Sequence, residues 1–148
     1  MYKIEASVYI NRPPQEVFDY VTNPANNVQW MSGTESAAWT SDGQPGIGST
    51  YIGVFNFLGR KLEGEVEVTG WTPPDSWSFK TTRPISAKTT TSFEAQGSGT
   101  LVTQISQIDI GGFFQMAEGL VGKQLERMYE TSNAALKLML EQGELETS

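Results

Sequence analysis

The sequence predicts an α+β fold: a curved antiparallel sheet of about seven strands wrapped around one long C-terminal helix, with two short helices after the first strand. Three observations carry this. Apolar residues recur at every second position through most of residues 34–110, interrupted by Gly- and Pro-containing turns. From Phe113 the period changes to 3.6. Between the first strand and the rest of the sheet lies a segment of helical spacing that opens on Pro13-Pro14 and stops at Asn23-Pro24.

The elements follow in order. Residues 3–10 (KIEASVYI) read as a strand, with Ile4, Ala6, Val8 and Ile10 on one face. Asn11-Arg12-Pro13-Pro14 breaks the ladder and runs into the first turn of a helix. Gln15–Val21 carries Val17, Phe18 and Val21 at helical spacing, and residues 25–31 form a second short helix anchored by Val28, Trp30 and Met31. Residues 34–41 are a weak strand, and residues 49–57 a stronger one that turns at Leu58-Gly59-Arg60. In residues 61–71, Leu62, Val66 and Val68 share one face, and Glu63, Glu65 and Glu67 the other. That is a sheet with one wet and one dry face. Residues 76–82 place Trp77, Phe79 and Thr81 together. Residues 87–95 and 100–110 are strands joined by Gly97-Ser98-Gly99.

Past Gly111-Gly112, the residues Phe114, Ala117, Val121, Leu125, Met128, Ser132, Ala135 and Met139 form one helical stripe, widened by Leu136 and Leu140. Gly119 and Gly122 each cost about 1 kcal/mol relative to Ala in a helix. A break near Gly119 is therefore expected, with the robust helix from about Gly122 to Glu141 and a polar tail over residues 143–148. With no linker or repeat, residues 1–148 read as a single domain whose ordered core covers about residues 2–142.

Composition narrows the function by exclusion. The chain has 148 residues, with 10 Lys+Arg against 17 Asp+Glu, a net charge of −7. A length of this order buries roughly 68–70% of its unfolded surface and needs no covalent staple. The acidic balance argues against a nucleic-acid partner, which demands a basic stripe, and against adhesion to anionic lipid. There is no Cys and no His. That removes disulfides, thiolate nucleophiles, Cys/His zinc sites and the Ser-His-Asp triad. Acid–base chemistry is left to Asp, Glu, Lys, Tyr or water. No stretch approaches 18 consecutive apolar residues, so no stable membrane insertion is expected. The first residues, Met1-Tyr2-Lys3-Ile4-Glu5, lack a signal peptide's apolar run, and a cytoplasmic location is the expectation.

The element order resembles that of the START-like "helix-grip" superfamily (SRPBCC), which includes polyketide cyclase/dehydratase-like proteins and lipid-transfer domains. Local matches support the likeness across nearly the whole chain. Ile10-Asn11-Arg12-Pro13-Pro14-Gln15-Glu16-Val17-Phe18-Asp19-Tyr20-Val21 is similar to that family's strand-to-helix entrance. Asn23-Pro24 followed by Trp30 resembles its "D-P…W" segment, with Asn in place of Asp. Gly48-Ser49, Leu58-Gly59-Arg60 with Glu67-Val68-Thr69, Trp71-Thr72-Pro73-Pro74, Gly99-Thr100, and Leu136-Lys137 with Glu141 match later landmarks in order. The resemblance implies an internal apolar cavity for a lipid, sterol, polyketide or similar molecule. It implies no shared catalytic residues, because some members catalyse and others carry or sense.

If the dry face meets the helix, alternate residues line that cavity. The expected ligand-binding residues are Tyr51, Phe55, Trp77, Phe79, Thr81, Phe93, Gln104 and Ser106 from the sheet. Phe114, Val121, Leu125 and Met128 complete the set from the helix. Tyr51, Thr81, Gln104 and Ser106 matter most, because polar groups on a dry face need a partner. Arg83 at a strand end is a candidate head-group clamp. Asp109, with Tyr51 or Tyr129, is a candidate acid–base group, and Phe113-Phe114 a candidate gate. The Glu63, Glu65 and Glu67 row reads as a solvent face, not a metal site. No residue is assigned as catalytic, and no metal or cofactor is called for. The expected function is binding of a small hydrophobic molecule as carrier or sensor. The alternative is a polyketide cyclase/dehydratase-like enzyme using the same cavity. A protein–protein adaptor is a third reading, and oligomeric state stays open.

Overall fold

The computed structural model describes residues 2–83, 85–110 and 118–147, without the side chains of residue 118 and residues 143–147. Strand β1 (Tyr2–Ile10) buries Ile4 and Ile10 and turns Lys3, Glu5, Ser7 and Tyr9 outward. Helix α1 (Pro14–Val21) starts where two prolines preset the chain, Pro13 extended and Pro14 in the first turn. It buries Val17, Phe18 and Val21. It closes where the Thr22 hydroxyl donates to the Phe18 carbonyl at 2.8 Å. A 3₁₀ turn (Pro24–Asn26), capped by the Asn23 side chain, leads into the one-turn helix α2 (Asn27–Trp30).

Six further strands complete the sheet: β2 (Thr34–Trp39), β3 (Thr50–Phe57), β4 (Arg60–Thr72), β5 (Ser76–Thr81), β6 (Ser86–Gln96) and β7 (Gly99–Asp109). All neighbours are antiparallel, in the order β1-β7-β6-β5-β4-β3-β2. The β3–β4 hairpin turns on Leu58 and Gly59, both at positive φ (51° and 77°). That mirror-image turn suits the twist of the flanking strands. Register shifts between Thr34 and Ser36 and between Val68 and Gly70 accentuate the curvature. The row of Glu63, Glu65 and Glu67 lies on the exposed outer face, where Lys80 pairs with Glu67 and Arg83 with Glu65.

Helix α3 (Glu118–Thr147) crosses the concave face. Its end is tied to the start of the chain. The Arg12 guanidinium donates to the Leu140 carbonyl, the Asn11 N–H to Glu141, and the Lys137 ammonium to the Tyr9 carbonyl. α3 is helical from Glu118 through Gly119 and Gly122, and residues 111–117, on the other side of the expected break, lie outside the described residues. Gly122 lets the helix pack directly on the Tyr2 ring. One expectation needs correction here. The helix continues to Thr147 instead of yielding to a polar tail at residue 143. Glu144, Leu145 and Glu146 are good helix formers that simply prolong the ladder.

The core falls into two clusters. One gathers Phe18, Trp77, Phe93, Val102, Leu136 and Leu140. The other gathers Ile4, Phe57, Leu62, Ile85, Ile108, Val121 and Leu125. One helix cannot fill the whole concavity of a seven-stranded sheet, and the space between the clusters stays open.

Candidate functional site

That space is a cavity of about 230 Å³. Its sheet wall is built from cross-strand rows. Trp77, Thr91 and Gln104 are direct neighbours on β5, β6 and β7. Phe79, Thr89 and Ser106 form the next row, of which Phe79 and Thr89 reach the cavity. Val66, Thr81, Ala87 and Ile108 form the third, with Tyr51 beside Val66 and Phe55 further along β3. The helix wall is Leu125, Met128, Tyr129 and Ser132, spaced to share one face of α3. Asn27, Trp30 and Met31 close the end, and the Ser132 hydroxyl secures that wall by accepting from the Ser32 N–H at 2.8 Å.

The lining is apolar with a few placed polar groups. Among the described residues it holds no Asp, Glu, Lys or Arg. Its titratable side chains are two phenols. Burial pushes Tyr51 up to about 12, against the opposing hydrogen bond with Asn27, with a small further rise from Tyr129. Burial also raises Tyr129, while hydrogen bonds with Ser106 and Thr89 pull the other way. Both are neutral hydrogen-bonding groups at pH 7. Tyr129, Ser106 and Thr89 form a hydroxyl chain with links of 2.6 and 2.8 Å.

Three buried polar atoms of lining residues lack a protein partner: the indole nitrogens of Trp30 and Trp77 and the carboxamide oxygen of Gln104. Such atoms are costly to leave unmet. No group of three or more Asp or Glu residues converges to hold a metal ion among the described residues.

The arrangement is that of a ligand pocket between a curved sheet and one helix, and a family model matches the chain over residues 1–141, nearly its whole length. The chain belongs to the polyketide cyclase/dehydrase and lipid transport family. Solved structures of the same shape include TTHA0849 from Thermus thermophilus (TM-score 0.82, 19% identity, covering 96% of this chain and 99% of that one). A START superfamily protein from Mycobacterium smegmatis superposes with TM-score 0.79 at 14% identity, covering 95% and 97%. The di-domain ARO/CYC protein BexL of the BE-7585A biosynthetic pathway superposes with TM-score 0.72 at 17% identity, covering 93% of this chain and 45% of that one. At these identities the likenesses establish the helix-grip fold. A sequence search of curated proteins gives no match.

Within this cyclase and lipid-transport fold, Tyr51, Phe55, Trp77, Phe79, Thr81, Gln104, Leu125 and Met128 line the cavity. Phe93 does not, because its ring packs edge-on against Phe18 at 5.3 Å inside the core. Val121 is also core, fully buried with Ile110 and Ile4. Ser106 is fully buried behind the lining, its hydroxyl spent on Thr89 and Tyr129. Phe114, and the Phe113-Phe114 gate, lie outside the described residues.

Two outer candidates are not among the residues that line the cavity. Asp109 is exposed at the end of β7, opposite Ser86 and outside the cavity lining. Arg83 is exposed and faces Glu65 at 3.7 Å on the outer surface.

Sequence reasoning missed much of the end wall. Asn27, Met31, Ser32 and Thr34 line the cavity, and so do Trp30, Gly64, Ile85, Ala87 and Thr89. The signal for Ala87 and Thr89 was present: they share parity with Thr91 on β6. The end wall carried no such signal, because α2 is one turn long and shows no periodicity.

Proposed function

We propose that this protein binds one small, uncharged hydrophobic molecule in the cavity, as a carrier or sensor acting in the cytosol. The observation that supports this most is the lining: apolar and aromatic, without an ionic group among the described residues. A carboxylate or ammonium placed there would lose its hydration with no opposite charge to replace it, at a cost of several kcal/mol. A fatty-acid carboxylate or a phosphate head group would therefore be poorly met by this lining.

Size narrows the class further. A cavity of about 150 Å³ accepts benzene, and typical ligand pockets span about 300–1,000 Å³. At about 230 Å³ this one suits one or two fused rings or a short chain, and is small for a sterol. Native mass spectrometry of the protein purified from its own cytosol, followed by denaturing extraction, tests the reading. A stoichiometric neutral ring compound is the expected result. An empty protein that also leaves one- and two-ring aromatics unbound would refute it.

The second reading is a cyclase/dehydratase-like enzyme in the same cavity. The two neutral phenols favour it, since an O–H aimed at a carbonyl oxygen can polarise it as negative charge develops. Turnover of a short oxo-chain substrate, lost in Tyr51→Phe or Tyr129→Phe, distinguishes it from simple binding.

A further inference from the structure

Strand β1 is an outer strand of the sheet, paired with β7 on one side only. In an antiparallel strand the N–H and C=O of one residue point to the same side, and that side alternates along the chain. The Ile10 carbonyl lies against Gly99 of β7, whereas the Tyr9 carbonyl accepts from the Lys137 ammonium of α3 at 2.7 Å. Tyr9 therefore turns its backbone groups away from β7, and Ser7 and Glu5 do the same by parity. Among the described residues, nothing meets the N–H or C=O of Glu5 or Ser7.

An outer strand with open backbone groups is a template for another strand unless it is guarded. The opposite outer strand, β2, carries a guard in its register shift between Thr34 and Ser36. β1 keeps an unbroken register from Tyr2 to Ile10 and contains no Pro, and its only Lys, Lys3, precedes the open stretch. Beside this edge lies a groove of about 610 Å³ between β1 and α3. Glu126, Glu130, Asn133, Ala134 and Lys137 form its helix side, and Ala6 and Val8 are only half-buried along its strand side. No residue of this groove lines the cavity.

Charge decides the occupant. Glu5, Glu126 and Glu130 line the groove, while its one ammonium, on Lys137, is already engaged by Glu141 at 2.8 Å and by the Tyr9 carbonyl. A second copy of this chain brings another net charge of −7, which opposes self-pairing. An extended segment with Lys or Arg at alternate positions meets both demands. Its backbone continues the ladder, and its basic side chains, on the face turned to α3, reach the carboxylates. We propose that the β1 edge and the groove beside it form a docking site for an extended basic segment of a partner protein, added as a further strand next to β1. This surface is separate from the cavity and does not depend on what the cavity binds.

The test uses the full isotope-labelled chain and the peptide acetyl-Thr-Lys-Val-Arg-Val-Lys-Thr-amide at low salt. Strand addition places the Glu5 and Ser7 amides in hydrogen bonds, so bound peptide is expected to slow their hydrogen exchange about tenfold or more. Glu130 is exposed, and Glu130→Lys is expected to keep the fold and weaken binding about fivefold or more. Should that variant not fold, Glu130→Gln serves the same comparison. No binding at millimolar peptide, or binding that leaves the Glu5 and Ser7 amides unprotected, overturns the proposal. Equal binding of a control peptide with Glu at the three basic positions, or an affinity unchanged in the Glu130 variant, removes the charge argument and overturns the basic partner. Glu5 and Ser7 amides already protected in a free chain that sediments as a dimer would give the edge to a second copy and overturn it too.

Discussion

The Ser106 hydroxyl lies 2.6 Å from the Tyr129 hydroxyl, joining the last strand to the last helix across the sheet–helix gap. Ser106 is fully buried and also bonds Thr89 at 2.8 Å. The helix is therefore held beside the cavity by a polar link where apolar packing is interrupted. The hydroxyl chain ties sheet to helix across the gap by hydrogen bonding.

Tyr129→Phe removes the helix end of that chain. Ser106 keeps Thr89 as a partner, so the loss is a single hydrogen bond, about 1 kcal/mol. Urea denaturation should show a lower midpoint with an unchanged slope. An unshifted midpoint would mean that the link does not hold the helix.

The buried phenols predict an alkaline limb to stability. An unfolded Tyr ionises near 10, whereas folded Tyr51 does so near 12, so above pH 10 the unfolded state releases protons that the folded state retains. The stabilisation is complete below pH 10 and disappears as pH rises to about 12. Its size is roughly 2–3 kcal/mol for a two-unit shift. Unfolding free energies at pH 9 and pH 11.5 should differ accordingly, and Tyr51→Phe should reduce the difference. An identical alkaline limb in Tyr51→Phe would place the effect elsewhere.

The two glycines of α3 should respond with opposite signs. No described atom lies near a Cβ built on Gly119, so Gly119→Ala should gain up to about 1 kcal/mol from helix propensity. A Cβ on Gly122 overlaps the Tyr2 ring, which is itself tethered to Glu126 by a 2.7 Å hydrogen bond. Gly122→Ala should cost about 1–3 kcal/mol. Thermal melts of the two variants decide it, and equal shifts would contradict the Tyr2 contact.

Ala87 lines the cavity on β6, and Ala87→Leu would push three extra carbons into the open space. Naphthalene affinity should fall at least tenfold, while stability changes by less than about 1 kcal/mol because no neighbour is displaced. A loss above about 3 kcal/mol in the urea midpoint would show that side chains already fill the space.

Much of the sheet wall was legible in the sequence. Alternation put Tyr51, Trp77, Phe79, Thr81 and Gln104 on one face, because side chains in a strand have a strict period of two. The same rule could not separate the lining from the core behind it. Phe93 and Gln104 share the inner face, yet Phe93 meets Phe18 while Gln104 meets the cavity. Position along a curved strand relative to α1 decides that, and periodicity does not report it.

By itself the sequence determined the order of elements, the dry face of the sheet, the amphipathic last helix, and the absence of any histidine or thiol. These depend on local spacing and composition, which every segment carries with it. Only the tertiary structure decided that Gly122 of α3 packs on Tyr2, that Arg83 faces solvent beside Glu65, and that Trp30 and Asn27 close the cavity. Those outcomes turn on which distant surfaces meet, Tyr2 on Gly122 or α2 on α3, and no local pattern contains the distance between two segments that the fold brings together.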